Sequence, residues 1–478
     1  MIDRLRRFPE VARAVRAGRQ LLTHDRWSAE QLRAHQRRRL LAIVRHAAAR
    51  SRYYRERFTG IELSDDLDLT ALPRLDKATM LENFDDLVTD RRLTLAGVEA
   101  HLAELEHAGP GADPRLLGAY RAVASGGSSG RRGVFVFGLE DWNVVLGGAV
   151  RLTRGYFGLP PRLPRSRLTT VWAESPLHIS GRAARTLDTG IGPYRFQRLD
   201  VRAPLDSLVE ELNAFQPEGL SAYASIAALL AERQLTGDLS ISPRVVTTGA
   251  EVRTAEMEQR IVAAWGQASF DFYNASESGA PLAAECDRHN GLHVLEDLAQ
   301  IEVVDDEYRP VPTGEPGTRL LLTNLFNRTQ PLIRYELNDL VTLSPDPCPC
   351  GRPFPLLESV DGRSDDLLEL PATAGGTISI HPLTLRSPLS GIAALSEYRI
   401  VHGRGKLRVE AVLNVACDRE RTCREVEARL TQALAESGAQ TPPIRVESVA
   451  GIPRHPHSGK KKAIEARADA GSPDNSPR

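Results

Sequence analysis

Between two apolar, β-like runs, Tyr120–Ala124 and Gly133–Phe137, the chain inserts Ser125-Gly-Gly-Ser-Ser-Gly-Arg-Arg132. Gly126, Gly127 and Gly130 let the backbone turn its N–H groups inward. Ser125, Ser128 and Ser129 add hydroxyl donors, and Arg131 and Arg132 bring positive charge. A loop of this composition can cradle a polyphosphate. It lacks the Gly-Lys-Ser/Thr ending of a Walker loop, and a β-like run follows it where that motif needs a helix. Taken alone, it reads equally well as a flexible hairpin tip. The chain has no nucleophile elbow of the strand-to-helix kind and no His-Glu-x-x-His, so hydrolase chemistry finds no support.

A second constellation is built on sulfur. Cys348-Pro-Cys350-Gly places two thiols within reach of one metal ion, and Cys286-Asp-Arg-His289, with His293 four residues on, lies upstream. Three cysteines and one histidine complete a tetrahedral zinc shell, which has no open position and is therefore structural. The preferred set is Cys286, His289, Cys348 and Cys350, with His293 as the other candidate histidine. The competing reading is unrelated reduced thiols in loops. Cys417 and Cys423 read as small apolar packing residues. Five cysteines without an export signal point to a reducing, cytoplasmic setting.

Five further segments follow the loop in order: Thr247-Thr-Gly-Ala-Glu251, Phe272-Tyr-Asn-Ala-Ser-Glu-Ser-Gly279, the long run Thr323–Asp339, Val360-Asp-Gly-Arg-Ser-Asp-Asp366, and Ile452-Pro-Arg-His-Pro-His-Ser-Gly-Lys460. Together they resemble the motifs of the adenylate-forming superfamily, in its phenylacetate–CoA ligase-like branch, from roughly Trp27 to Lys462. Two positions depart from the family pattern. Arg131 stands where lysine is common, which keeps charge but not the compact ammonium. Asn274 replaces a glycine, and asparagine tolerates unusual backbone angles.

The resemblance implies a role for each segment. ATP or AMP would be held by Ser125, Ser128, Ser129, Gly130 and Arg131 at the phosphates, and by Gly249, Ala250 and Glu251 at the adenine. Tyr273 would lie beside the base, next to Asn274, and Ser276 would touch phosphate. Asp339 would accept both ribose hydroxyls. Glu277, Arg363 and Lys460 are the implied catalytic residues: Glu277 holds Mg²⁺, Arg363 contacts ribose or phosphate, and Lys460 reaches in during adenylation. Lys461 and Lys462 follow directly and are alternatives to it. Arg334 either supports the charge of the site or makes a structural ion pair. Asp365 or Asp366 would be the pivot of a mobile C-terminal domain. Some members of the branch also resemble the Cys/His arrangement.

The implied activity is ATP- and Mg-dependent activation of a small, aromatic carboxylic acid as its acyl-adenylate, then transfer to CoA. A carrier thiol or an amine is the other acceptor class, and adenylation of nitrite with transfer to an arylamine is a variant. A nucleotide-binding scaffold without catalysis is the rival of another class. Two anions must meet at phosphorus, so the reaction needs positioning and preorganised positive charge more than a protein nucleophile.

The elements that must position these residues are legible from the chain. At 478 residues it exceeds the length one core usually serves, so at least two domains are expected. Lys+Arg (61) and Asp+Glu (62) nearly cancel, which speaks against a nucleic-acid partner. No run approaches a membrane span. The basic start, Met1–Arg19, reads as a helix packed on the body, or one resting on a membrane surface. Ser28–Phe58 is helical by period. Alternating helical and β-like segments from Asp141 to Trp265 predict helix-covered sheets, with helices at Leu205–Phe215 and Ser225–Arg233 and buried strands at Ser221–Tyr223 and Arg244–Thr248. Strands are expected at Ala299–Val304, Thr318–Thr323 and Asp339–Leu343.

The fold class is thus α/β: a large N-terminal adenylation domain (1–362, largely helical over 1–115), a small mobile α+β C-terminal domain (363–467) and a disordered tail (468–478). Trp172, Leu177 and Tyr223 could line an apolar slot, although core packing is the commoner fate of such residues. A homodimer is left open.

Overall fold

Ser28 begins the longest helix, Ala29–Arg50, through a capping box. Its hydroxyl accepts from the Gln31 N–H (3.1 Å) and its own N–H donates to the Gln31 side chain (2.8 Å). The preceding helix, Phe8–His24, lies along helix Leu139–Arg151 at very close range. A Cβ on Gly147 would come within 2.8 Å of Ala17 Cβ, and one on Gly18 within 2.7 Å of Val150. Only glycine fits this crossing. From Phe8 onward the basic start is therefore packed on the body. A buried ionic network secures it: Arg151 Nη1 spans both oxygens of Asp297 (2.9 and 3.1 Å), its Nη2 meets Asp25 (2.5 Å), and His24 Nδ1 lies 2.6 Å from Asp297.

The computed structural model describes residues 8–108, 115–125, 132–159, 165–188, 194–363, 367–380, 382–389, 392, 394–403, 405–414, 417–454 and 460–466. Residues 126–131, Asp365, Asp366 and the tail from 467 onward, on which several expectations fell, lie outside them. Among the described residues no helix is long and apolar enough to cross a membrane. The chain divides into two compact units, one comprising residues 1–253, 257–337 and 341–360, the other 254–256, 338–340 and 361–478.

In the first unit, β1 (Arg121–Ala124) and β2 (Val134–Phe137) form an antiparallel hairpin around the glycine-serine loop. The main sheet contains β3 (Ser166–Trp172), β4 (Tyr194–Asp200), β5 (Gly219–Tyr223), β6 (Val245–Gly249), β7 (Phe270–Tyr273), β8 (Ala283–Glu285) and β9 (Leu292–Val294). Strands β10 (Ala299–Val304), β11 (Arg319–Asn324) and β12 (Tyr335–Leu337) form a separate antiparallel sheet. With β13 (Asp339–Leu343) and β14 (Leu356–Arg363), the nine-stranded order is β13-β14-β9-β8-β7-β6-β5-β3-β4. Pairing is parallel from β4 through β3, β5 and β6 to β7, and antiparallel from β7 to β8, β9 and β14. Helices Leu205–Phe215 and Ala224–Thr236 connect the parallel strands, as the alternating pattern predicts, and their apolar faces close a core of Leu208, Leu212, Ile226 and Leu230 against Val171, Leu220 and Val246.

The second unit is α+β. Hairpin β15 (Leu368–Pro371) and β16 (Thr377–Ile380) accompanies a sheet of β17 (Leu395–Gly403), β18 (Lys406–Leu413), β19 (Ile444–Ser448) and β20 (Ile464–Ala466), ordered β19-β18-β17-β20. Helix Arg419–Glu436, capped by the Asp418 carboxylate, buries Val426, Leu430 and Leu434 against Ile400, Leu407 and Val409.

Candidate nucleotide site and metal centre

Register brings two of the motifs side by side. Tyr223 of β5 stands opposite Gly249 of β6, and Gly249 opposite Phe272 of β7. Because these strands are parallel, their carboxyl ends share one edge, the edge at which open α/β sheets bind ligands. Gly249-Ala-Glu251 leaves the sheet there, beside Tyr273-Asn-Ala-Ser-Glu277. The approach is tight: a Cβ on Gly249 would sit 2.8 Å from the Phe272 carbonyl oxygen. Ala250 adopts φ 60°, sparsely populated for a side-chain-bearing residue. Glu251 Oε2 accepts from the Ser225 N–H (3.0 Å), so its carboxylate caps helix Ala224–Thr236 and ties the turn to the end of β5. Tyr273, Asn274 and Ser276 are half-buried and Glu277 is buried. Asn274 Oδ1 accepts from the Ser278 hydroxyl (3.2 Å). Trp172 meets Tyr223 edge-on (4.6 Å between centroids), and Leu177 is buried.

Ser128, Ser129, Gly130 and Arg131 lie outside the described residues, but the base of their loop is defined. Ser125 N–H donates to the Gly133 carbonyl (2.9 Å), and Gly133 N–H returns a bond to Ser125 Oγ (2.8 Å). Ser125 thus closes the loop mouth. Ala124 N–H donates to the Leu177 carbonyl (3.0 Å), anchoring the hairpin to the segment that follows β3.

The long motif Thr323–Asp339 has a role that the sequence reading missed. Among the described residues β2 has only β1 as a strand partner, and side-chain amides serve its other edge. Gln330 Oε1 accepts from Val136 N–H (2.8 Å), Gln330 Nε2 donates to the Val134 carbonyl (3.1 Å), and Asn327 Nδ2 donates to the Val136 carbonyl (3.1 Å). Asn324 Nδ2 donates to the Ser278 carbonyl (2.9 Å), holding the segment after Glu277. The signal available was a run of amide side chains among apolar residues. Arg334, at φ 49°, pairs with both oxygens of Glu302 (3.0 and 2.9 Å) and donates to the carbonyls of Thr70 and Leu72. These contacts make the structural ion pair that was one of its two expected roles.

Asp339, Arg363 and Lys460 fall in the second unit's residues. Asp339 opens β13 and is half-buried, Arg363 closes β14, and Lys460 is exposed. The neighbouring Lys461 is committed to an ion pair with Glu397.

Cys286, His293, Cys348 and Cys350 converge, with ligand atoms all within 4.8 Å of one another. Here the preferred histidine is corrected. His289 lies in the β8–β9 turn at φ 47°, with Nδ1 3.5 Å from Glu285 and its ring against Phe270. His293 lies in β9, paired with β8 on one side and β14 on the other, so the ladder fixes its side chain toward the cysteines. Its Nδ1–H donates to the Phe354 carbonyl (3.3 Å), leaving Nε2 3.3 Å from Cys350 Sγ. Such a bond sets the tautomer a metal ligand needs. Cys286 Sγ and Cys348 Sγ are 3.7 Å apart. Burial pushes the Cys286 thiol up to about 12 and the His293 imidazole down to about 4, so a cation is what would favour thiolate here. The donor set fits zinc.

Beneath the Gly249–Arg253 turn lies a buried ionic cluster. Asp271 Oδ1 accepts from Thr248 Oγ1 (3.0 Å) and from its neighbour Phe272 N–H (3.1 Å). Burial raises this carboxyl to about 7, against the opposing pull of Arg253.

No protein-family model matches the chain. It is 32% identical over 208 residues to the phenylacetate–coenzyme A ligase of Thermus thermophilus, an alignment covering 42% of this chain and only 45% of that protein. With the phenylacetate–coenzyme A ligase of Pseudomonas putida it shares 27% over 392 residues, 78% and 79% of the two chains. A crystal structure of 2-hydroxyisobutyryl-CoA ligase in the postadenylation state superimposes with a TM-score of 0.70 over 93% of this chain and 90% of that one, at 21% identity. The chain is thus similar in sequence to phenylacetate–coenzyme A ligases and shares the fold of 2-hydroxyisobutyryl-CoA ligase.

Proposed function

We propose that this protein is an AMP-forming acid–CoA ligase acting on a small, aromatic carboxylic acid. One observation carries the reading: the segments Thr247–Glu251 and Phe272–Glu277 emerge together from adjacent parallel strand ends, where a sheet of this class takes its ligand. A carboxylate oxygen of the acid attacks the α-phosphorus of ATP, the bond to the bridging oxygen breaks, and pyrophosphate leaves. The thiol of CoA then attacks the acyl carbon, AMP leaves, and the thiol proton passes to solvent.

In this reading Gly249, Ala250 and Tyr273 border the base. Ser128, Ser129, Gly130 and Arg131 face phosphate with Ser276, while Ser125, Glu251 and Asn274 hold the segments that carry them. Asp339 takes the ribose, Arg363 takes ribose or phosphate, and Lys460 offsets charge during adenylation. Glu277 would hold the magnesium ion, which neutralises phosphate charge. Cys286, His293, Cys348 and Cys350 would hold zinc in a closed, structural shell.

The test is pyrophosphate release across a panel of acids, nitrite included, with CoA or an arylamine added. Release with an aromatic carboxylate, followed by CoA-dependent thioester formation, is expected. Release with nitrite and with no carboxylate would overturn the CoA-ligase assignment. Failure to bind ATP by calorimetry would favour the silent scaffold.

A further inference from the structure

Arg253 stands two residues beyond Glu251, at the foot of the turn that leaves β6. Its Nη2 donates to Glu285 Oε1 (2.6 Å), and its Nη1 reaches Glu285 Oε2 (3.1 Å), the Ser269 carbonyl (2.8 Å) and Ser269 Oγ (3.0 Å). Glu285 Oε2 also accepts from the Asp271 N–H (2.7 Å), extending the β7–β8 pairing by one bond through a side chain. Glu258, on helix Ala255–Trp265, takes the Ser269 N–H (2.8 Å) and hydroxyl (2.5 Å) and lies 3.5 Å from Arg253. The guanidinium is largely buried among three carboxylates, of Glu285, Glu258 and Asp271. Glu285 is buried and precedes the metal-centre residue Cys286 directly.

One guanidinium therefore joins the turn that follows β6, which carries Gly249–Glu251, to Ser269 at the start of β7 and to Glu285 at the end of β8, which Cys286 follows. We propose that Arg253 is a positioning residue through which the Cys286–His293–Cys348–Cys350 centre and the nucleotide-binding turn stabilise each other. This rests on the nucleotide reading given above. With the metal bound, Cys286 fixes the end of β8 and hence Glu285. Glu285 then holds Arg253 in place with two charge-assisted bonds, and Arg253 holds the turn in which Ala250 keeps its unfavourable φ. Coupling of this kind is reciprocal: if the metal favours nucleotide binding, nucleotide must favour metal retention by the same factor.

The experiment uses full-length zinc-loaded protein, as wild type and as Arg253→Met, Arg253→Lys and Glu285→Gln. ATP affinity is measured by calorimetry, and zinc release into a colorimetric chelator is timed with and without ATP. In the wild type ATP is expected to slow zinc release several-fold. Arg253→Met is expected to weaken ATP binding about tenfold and to abolish the ATP effect on zinc release while still binding one zinc. Arg253→Lys recovers part of both, and Glu285→Gln resembles the Met variant. Thermal melts check that each variant folds. Wild-type ATP affinity retained in Arg253→Met, or zinc release that ignores ATP in a wild type that binds ATP, overturns the coupling alone. A wild type that does not bind ATP overturns the nucleotide reading itself.

Discussion

Cys286 Sγ and Cys348 Sγ lie 3.7 Å apart, although sixty-two positions separate them in the chain. Thiolates about 2.3 Å from a tetrahedral zinc stand about 3.8 Å apart, so the pair already has the spacing of two ligands on one ion. The expected outcome is one zinc per chain by elemental analysis. Cys348→Ser and His293→Ala should lose most of it and melt several degrees lower, since a closed site contributes to folding. His289→Ala should keep it. Zinc lost in the His289 variant but retained in the His293 variant would refute the ligand set.

The three consecutive lysines make a second test. Lys461 is tied to Glu397, and both side chains are mostly buried, whereas Lys460 and Lys462 are exposed; Lys460 is the residue proposed for adenylation. Loss of a preorganised positive group from a charge-building step typically costs about 10²–10³ in rate. Lys460→Ala is expected to slow pyrophosphate release by that factor, while thioester formation from supplied acyl-adenylate stays close to normal. Lys461→Ala should act chiefly on thermal stability. The reverse pattern would move the role to Lys461.

How much of this was legible beforehand follows from where the signals are local. Helix Leu205–Phe215 and strand Ala299–Val304 appear with the bounds read from the sequence, because apolar period and flanking turn residues act within the segment itself. The strand end carrying Gly249 was placed for the same reason, whereas the short strand that ends at Tyr273 was not read from the sequence. The choice of His293 over His289 was not legible: sequence spacing allows either, and only the cross-strand pairing of β9 with β8 and β14 decides which ring faces the sulfurs. The amide clamp on β2 was equally hidden, since Gln330 and Val136 meet only through the tertiary fold. Glu251, expected at the adenine, also caps the neighbouring helix, a contact that its place in the sequence does not show.

That clamp predicts a third result. Gln330→Ala would leave the Val136 N–H and the Val134 carbonyl without their side-chain partner in a buried setting, a cost of about 1–3 kcal/mol. Because β2 is the return strand of the glycine-serine loop, the KM for ATP should rise more than kcat falls. Gln330→Glu keeps an acceptor for Val136 but loses the donor to Val134, and should fall between. An unchanged KM in a folded Gln330→Ala protein would limit the clamp to stability.

The last prediction concerns pH. Burial raises Asp271 to about 7, above its ordinary value of 3.8. Between those values the folded chain holds a proton that the unfolded chain has released. Stability from this group is therefore fully present below about pH 4 and is lost as pH rises toward 7, by at most about 1.4 kcal/mol per unit. Glu296, also raised to about 7 by burial despite the bond from Gln36 (2.9 Å), contributes with the same sign. Asp271→Asn keeps an oxygen for Thr248 and Phe272 but does not titrate, so the decline in unfolding midpoint between pH 5 and pH 7 should shrink by about half. Urea titrations at half-unit steps measure it. An equal slope in the variant would mean that Asp271 is already ionised at pH 5, held so by Arg253, and that the pH response belongs to other groups.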